Sequence, residues 1–146
     1  MPIVIALCLV LVVATTLVHY DVLALLSARL PGMAIAPRFK LVVVVLSAFV
    51  AHAAQIGMYA VAMWACMHGL GIGGFSGSIG ASLQACLYFS AETFTSLGFG
   101  DIVPLGPLRL LAGVETLNGL LLIGWSASFT YLSMARFWDE GVTPAR

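Results

Sequence analysis

Charged side chains are scarce in this sequence of 146 residues: only 8% are Asp, Glu, Lys or Arg, whereas 62% are hydrophobic and the mean hydropathy is +1.09. A soluble domain of this size does not need so much apolar surface. The six basic and six acidic residues cancel, so no excess positive charge indicates binding to nucleic acid. The composition therefore predicts an integral membrane protein that lies in a lipid bilayer.

Cysteine is also rare, and Cys8, Cys66 and Cys86 all lie in apolar stretches. Their odd number and their spacing fit neither a disulfide framework nor a zinc site, so we expect small buried hydrophobic residues. No Ser-His-Asp arrangement can be recognised, and we expect no enzymatic activity. Arginine does not recur at every third position, which argues against a voltage sensor. We also expect the short tail at residues 139–146 to be too small for a cytosolic nucleotide- or calcium-binding domain.

Three apolar runs are long enough to cross a bilayer, which takes about 20 residues of helix. The first lies within residues 1–30 and is predicted to be a retained transmembrane helix, because it lacks the basic start and the cleavage site of a signal peptide. The second covers about residues 41–70. The last covers about residues 107–138 and begins with a proline, which suits a first helical turn. Residues 81–95 also look helical but are too short to span.

A connector at residues 31–40 separates the first two spans and contains proline and glycine as helix breakers. It carries Arg38 and Lys40 and follows Arg29, which together are half of the basic residues. The positive-inside rule places this connector in the cytoplasm. The N-terminus is then predicted to lie outside and the C-terminal tail to be cytoplasmic.

The short helix predicted at residues 81–95 is followed by a second segment that contains glycine. In this segment, Gly98-Phe99-Gly100 places an aromatic residue between two glycines. When four such strands line a pore, their carbonyl oxygens can replace the hydration shell of a potassium ion. The required backbone conformations cost little for glycine and much for other residues. Non-helical backbone inside a membrane is tolerated where it is buried in protein or lines an aqueous cavity. The pattern favours an ion-coordinating pore loop over a simple glycine turn between two membrane helices.

The segment from Leu87 to Pro104 resembles the pore region of potassium channels. Its Leu-Tyr-Phe-Ser-Ala-Glu-Thr-Phe-Thr and Ser-Leu-Gly-Phe-Gly-Asp are similar to small bacterial channels that read Leu-Trp-Trp-Ser-x-Glu-Thr-x-Thr and Thr-Val-Gly-Tyr-Gly-Asp. The resemblance covers about residues 41–138 and leaves out the first span. It implies an all-α membrane protein with three transmembrane helices, a re-entrant pore helix and a selectivity-filter loop in a tetrameric pore. The domains are then an N-terminal helix, a cytoplasmic connector, a pore domain and a short tail (1–30, 31–40, 41–138 and 139–146).

The resemblance also assigns roles to individual residues. It implies that potassium ions bind to the backbone carbonyls, with one hydroxyl, of Ser96, Leu97, Gly98 and Phe99, in an ion-binding segment completed by Gly100. The residues expected to support the filter are Glu92, Asp101, Tyr88, Phe89 and Thr95. The residues expected at the cavity or in gating are Gly119, Gly124, Leu120, Ile123, Ala127 and Tyr131. Glu115 is grouped with them by its position in the last helix, although the family pattern does not explain it.

Two of these assignments carry further expectations. Glu92, behind the filter, is expected to share a proton or a water molecule with Asp101 at the outer mouth. Gly119 is expected to act either as the hinge of the pore-lining helix or as a point of close helix packing. The chain departs from the family pattern in Ser96 for Thr, which keeps the oxygen, in Leu97 for Val, and in Phe99 for Tyr, which loses a bracing hydroxyl.

The function that this resemblance implies is passive, potassium-selective conduction by a homotetramer in the cell membrane. We expect no cofactor other than potassium ions, no nucleic acid and no soluble partner. The alternatives are a weakly selective cation channel and a non-conducting membrane subunit or transporter element. Potassium transporters usually keep only the first glycine and carry four pore loops in one chain, so Gly100, Asp101 and the single copy favour a channel.

Several polar residues within the apolar helices have no place in this pattern, and Glu115 is the most unusual. An ionised carboxylate that faces lipid is costly, so we expect Glu115 to point toward the second span or the pore helix. There it would hydrogen-bond to Tyr59, to Asn118 or to a group of the pore helix such as Thr93. The alternative is a ring of four carboxylates that concentrates cations near the cavity. The three histidines are expected to make packing or interface contacts.

Overall fold

The computed structural model describes residues 1–77 and 80–142, with side chains up to Trp138. Its main elements are four helices: α1 (Pro2–Arg29), α2 (Pro37–Gly69), α3 (Leu83–Phe94) and α4 (Leu108–Val142). Within the described residues, α1, α2 and α4 are long and apolar enough to cross a membrane. The chain is thus an all-α membrane protein with three spanning helices and one short helix between the second and the third.

Local sequence signals explain where these helices begin. Pro2 and Pro37 each stand at the start of a helix, where the missing N–H of proline costs nothing because the first N–H groups have no partner within the helix. The short helix α3 begins after Ser82, whose hydroxyl accepts a hydrogen bond of 3.1 Å from the N–H of Ala85. This capping satisfies one of the unpaired donors at the helix start.

The structure corrects three boundaries that the sequence predicts. The helix α1 continues to Arg29 and ends in a short 3-10 turn at Leu30–Gly32, and α2 begins at Pro37, so the connector is shorter than residues 31–40. Arg38 and Lys40 consequently belong to the first turn of α2. At the other end, α4 extends past residue 138 into the predicted tail, whose last residues, including Arg146, lie outside the described part.

Two short strands also form, one on either side of α3 in the sequence. The strand β1 (Gly74–Gly77) pairs antiparallel with β2 (Ile102–Leu105), in a register that sets Gly74 opposite Leu105 and Gly77 opposite Ile102. Because β2 begins one residue after Asp101, this ladder lies directly beyond the proposed filter. The strand β1 is difficult to predict from the sequence because it contains glycines, which are depleted in strands.

The core is divided into two apolar clusters with polar side chains between them. The larger cluster joins the start of α1, the second half of α2, the helix α3 and the first half of α4. The smaller cluster lies at the opposite end of the bundle and consists of Leu23, Leu26, Leu30, Val44 and Phe137. Since the start of α1 packs with the end of α2, the two helices run antiparallel. Buried residues of α1 recur every three or four positions, as expected for a helix that packs on one face.

Candidate functional site

The backbone after α3 alternates between two conformations over five residues. Ser96, Gly98 and Gly100 have φ values of 60°, 55° and 82°, whereas Leu97 and Phe99 between them do not have positive φ. Because left-handed and right-handed backbone conformations alternate, successive peptide planes have the same orientation. Their carbonyl groups therefore line one side of this segment. Glycine adopts positive φ freely, but at Ser96 the same conformation costs roughly 1–2 kcal/mol.

Glu92, in the last turn of α3, forms hydrogen bonds with this backbone segment. Its carbonyl oxygen accepts hydrogen bonds from the N–H groups of Leu97 (2.8 Å) and Gly98 (3.3 Å), and its Oε2 accepts one from the N–H of Phe99 (2.9 Å). In a trans peptide each N–H points opposite to the carbonyl of the preceding residue, and the described residues contain no cis peptide. The carbonyls of Ser96, Leu97 and Gly98 therefore point away from Glu92 and from α3.

Asp101, at the C-terminal end of this segment, has a different partner. Its Oδ2 accepts a hydrogen bond of 3.0 Å from the hydroxyl of Tyr88. Desolvation and this carboxylate together raise the pKa of Tyr88, which keeps the phenol protonated as a donor. Within the described residues no hydrogen bond joins the carboxyl groups of Glu92 and Asp101, so a water molecule shared between them stays a prediction.

The remaining residues expected to support the filter take separate positions. Tyr88 lies at the surface of the subunit, whereas Phe89 is buried and its ring contacts that of Phe75 in β1, with centroids 4.9 Å apart. Phe89 thus packs inside its own subunit. The hydroxyl of Thr95, the residue that follows α3, donates to the carbonyl of Ala91 at 2.8 Å.

The helix α4 approaches the end of α3 closely at Gly119. A Cβ atom at this position would lie 2.2 Å from the carbonyl oxygen of Phe94 and 2.9 Å from its carbonyl carbon. One turn earlier, the hydroxyl of Thr116 lies 3.2 Å from the carbonyl of Thr93 and 3.0 Å from that of Ala112. The close-packing interpretation of Gly119 therefore has direct geometric support, whereas a Cβ at Gly124 would meet nothing within 4 Å.

The other residues expected at the cavity share a stripe along α4. Leu120, Gly124, Ala127 and Tyr131 are exposed on the single subunit and recur at helical spacing. Ile123 differs, because it is partly buried and packs against the larger apolar cluster. A cavity position for the exposed stripe stays a prediction.

Glu115 is fully buried within the subunit and points toward α3. Its Oε1 is hydrogen-bonded to the hydroxyl of Ser90, and that hydroxyl also lies 2.9 Å from the carbonyl of Ile56. A serine has one proton and can donate to only one of these oxygens. Both contacts are satisfied when Glu115 is a neutral acid that donates to Ser90, while Ser90 donates to Ile56. This burial leaves Glu115 outside the exposed stripe on α4 and supports a structural role.

Replacing Glu115 with glutamine tests this role. The amide of the Glu115→Gln variant can still donate to Ser90, so we expect the thermal stability of the assembly and the ion flux to change little. Glu115→Leu removes the donor and is expected to lower stability by about 1–3 kcal/mol, the cost of losing a buried hydrogen-bond partner. If Glu115→Gln lowered conductance but left stability intact, a charged ring near the cavity would be favoured instead.

A second buried polar contact was only partly anticipated from the sequence. Asn118 donates through Nδ2 to the hydroxyl of Tyr59 at 3.0 Å and to the hydroxyl of Thr15 at 2.7 Å. It therefore joins α4 to both α2 and α1. Helical spacing places Tyr59 on a polar face of α2, but no signal in the sequence identifies Thr15 as its neighbour.

Metal-binding side chains do not converge in the described part of the chain: no group of three or more His, Cys, Asp or Glu side chains could hold a metal ion there. The three cysteines are buried and free.

Comparison with known proteins agrees with this geometry. A family model described as an ion channel matches residues 39–134, more than half of the chain, from the first turn of α2 through most of α4. No curated protein and no solved structure gives a significant match. The match includes α3 and the segment after it whose N–H groups bind Glu92, and it leaves out α1. This chain, with three helices that can cross a membrane, therefore belongs to the ion channel family.

Proposed function

We propose that the chain is a subunit of a passive potassium-selective channel in which four copies surround one pore. The orientation of the filter carbonyls is the observation that carries this proposal. Because Glu92 binds three consecutive N–H groups, the carbonyls of Ser96, Leu97 and Gly98 are free to face an ion. Backbone carbonyls arranged in this way replace the hydration shell of potassium.

The exposure of the filter supports assembly from several copies. On a single subunit the residues Leu97 and Phe99 are 59% and 67% exposed, and Tyr88 also lies at the surface. One chain provides one filter segment, whose carbonyls line only one side of a pore. Four copies would close a ring of carbonyls and would cover these side chains with neighbouring subunits.

Potassium ions are the only ligands that the proposal requires, and they would bind at Ser96, Leu97, Gly98 and Phe99. The proposed orientation places the N-terminus outside the cell membrane and the C-terminus in the cytoplasm, with the β1–β2 ladder at the outer mouth. This orientation rests on Arg29, Arg38 and Lys40 at the turn between α1 and α2, since basic residues concentrate on the cytoplasmic side.

Ion flux from liposomes that contain the purified protein tests the proposal. We expect potassium flux to exceed sodium flux by more than about tenfold, which corresponds to about 1.4 kcal/mol of discrimination. Cross-linking in mild detergent should give a four-fold assembly. Equal fluxes would indicate a weakly selective cation channel, and intact tetramers without flux a non-conducting subunit. A stable dimer with no higher form would rule out the pore.

A further inference from the structure

Four polar side chains from three helices form a closed cycle in the middle of the bundle. We call this cycle the histidine ring and define it as His19, Gln55, Ser126 and His52. The distances around it are 3.2 Å from Gln55 Nε2 to His19 Nδ1, 3.2 Å from His19 Nε2 to Ser126 Oγ, 3.0 Å from Ser126 Oγ to His52 Nε2, and 2.9 Å from His52 Nδ1 to Gln55 Oε1.

The direction of every hydrogen bond in the histidine ring follows from one contact. Gln55 Nε2 also lies 3.3 Å from the carbonyl of Thr15, which can only accept, so this contact fixes the orientation of the amide. Gln55 then donates to His19 Nδ1 and accepts from His52 Nδ1. His19 must therefore carry its proton on Nε2, and His52 must carry its proton on Nδ1.

Ser126 closes the cycle without conflict. Its oxygen accepts from Nε2–H of His19, and its hydroxyl proton is donated to Nε2 of His52. Each of the four groups is satisfied, and both imidazoles are neutral in opposite tautomers. A buried polar network is stable in an apolar surrounding only when its members are satisfied in this way.

The histidine ring connects the first helix to the part of the chain that holds the filter. His19 belongs to α1, which lies outside the region matched by the ion channel family, whereas Ser126 belongs to α4. The imidazole of His52 also contacts the ring of Phe94, with centroids 5.7 Å apart. The carbonyl of Phe94 is the group that packs on Gly119, and Phe94 comes two residues before Ser96.

We propose that the histidine ring positions the base of the filter against α1 and α4, and that proton uptake by the ring reduces conduction. The effect on conduction rests on the channel function proposed above. A proton added to His52 would occupy Nε2 and remove the acceptor that Ser126 uses. A proton added to His19 would occupy Nδ1 and remove the acceptor that Gln55 uses. Either event breaks the cycle and leaves a positive charge in an apolar segment, which is costly.

Within the described residues, no carboxylate is hydrogen-bonded to the histidine ring or ion-paired with it. The aromatic side chains against the ring are Trp125 of α4 and Phe94 of α3. On α1, Tyr20 and Asp21 are exposed. The other titratable groups on the packed helices have different partners: Tyr59 of α2 with Asn118, Glu115 of α4 with Ser90, and Glu92 of α3 with the N–H of Phe99. His52 is partly buried, whereas His19 is fully buried.

Nitrogen-15 spectra of labelled histidine in the full-length protein test the ring without any functional assay. The His68→Gln variant removes the third histidine, which is exposed and bonded to the carbonyl of Trp64. At neutral pH we expect one Nδ1–H and one Nε2–H tautomer, assigned to His52 and His19 with single variants. Two identical tautomers, or a charged imidazole at neutral pH, would overturn the proposal whether or not the protein conducts ions.

Potassium flux as a function of pH tests the positioning role. Between about pH 8 and about pH 4, a range that includes the usual titration of histidine, we expect wild-type flux to fall several-fold. The double variant His19→Gln, His52→Gln should lose most of this fall, and His68→Gln should retain it. A wild-type flux that does not depend on pH, or a fall that persists unchanged in the double variant, would contradict the role.

Ser126 and Ser128 provide a matched pair on the same helix. Ser126→Ala opens the histidine ring at every pH, so we expect several-fold lower flux at neutral pH and a weaker dependence on pH. Ser128 is exposed and its hydroxyl only donates to the carbonyl of Gly124, so Ser128→Ala should match the wild type. Equal flux and equal pH dependence in the two variants would contradict the proposal.

Discussion

Gly98→Ala and Gly100→Ala are each expected to abolish potassium flux or its selectivity while leaving assembly largely intact. The two residues have φ values of 55° and 82°, and an L-alanine in this region costs about 1–2 kcal/mol. A Cβ at either position would meet nothing within 4 Å on the subunit, so the cost lies in the backbone conformation alone. In a tetramer the four copies together store about 4–8 kcal/mol, which is released when the carbonyls rotate out of line.

Flux assays and sizing of the purified variants measure this effect, with Gly113→Ala as the matched control. A Cβ at Gly113 would also meet nothing within 4 Å, but this residue lies in α4 and does not have positive φ. We therefore expect wild-type flux from Gly113→Ala. If Gly100→Ala conducted like the wild type, the segment would be an ordinary loop and the proposed filter would be wrong.

The sequence predicts the helices well because their signals are local. Apolar runs and proline residues identify the three spans, and the structure confirms an all-α membrane protein with a short helix before the last span. The predicted ends differ by a few residues where the signal is weak. Residues 81–95 look helical as a block, but capping by Ser82 shifts the start of α3 to Leu83. The helix ends at Phe94, after which the N–H groups of Leu97 and Gly98 both bind the carbonyl of Glu92.

The proposed filter is only partly visible in the sequence. Its two glycines predict a backbone with positive φ, and both do have positive φ. Nothing in the local pattern, however, identifies the same conformation at Ser96. The contact between Glu92 and the N–H of Phe99 also depends on how the chain turns back after α3. Such contacts follow from the path of the backbone, which propensities do not encode.

Contacts between distant helices are the part that the sequence cannot provide. Helical spacing places His52 and Gln55 on one face of α2, yet it does not show that His19 and Ser126 complete the histidine ring. Likewise, the cost of an exposed charge predicts that Glu115 points inward, toward the second span or the pore helix, but it does not show which group of the pore helix is the partner, and in the structure this is Ser90. Pairings across helices depend on the rotation of each helix about its axis, and a single sequence does not specify that rotation.

The second large effect is expected from Gly119→Ala, which should destabilise the protein and abolish flux together. A Cβ at this position would lie 2.2 Å from the carbonyl oxygen of Phe94, and a backbone atom cannot rotate away as a side chain can. The helices α3 and α4 must separate to accept the methyl group, and overpacking of this kind typically costs about 1–3 kcal/mol per site. Because Ser96 follows Phe94 by two residues, the same movement displaces the inner end of the filter.

Thermal unfolding and potassium flux, measured on the same preparation, distinguish this packing role from a hinge. If Gly119 served only as a hinge, alanine would alter the opening of the channel but would leave stability unchanged or slightly higher. The reason is that alanine stabilises a helix by about 1 kcal/mol relative to glycine. The control is Gly124→Ala on the same helix, where a Cβ would meet nothing within 4 Å. We expect Gly124→Ala to unfold at or above the wild-type temperature and Gly119→Ala to unfold well below it. A Gly119→Ala protein as stable as Gly124→Ala would mean that α3 and α4 pack less closely than the structure indicates, and the hinge would then be the better explanation for a glycine at this position.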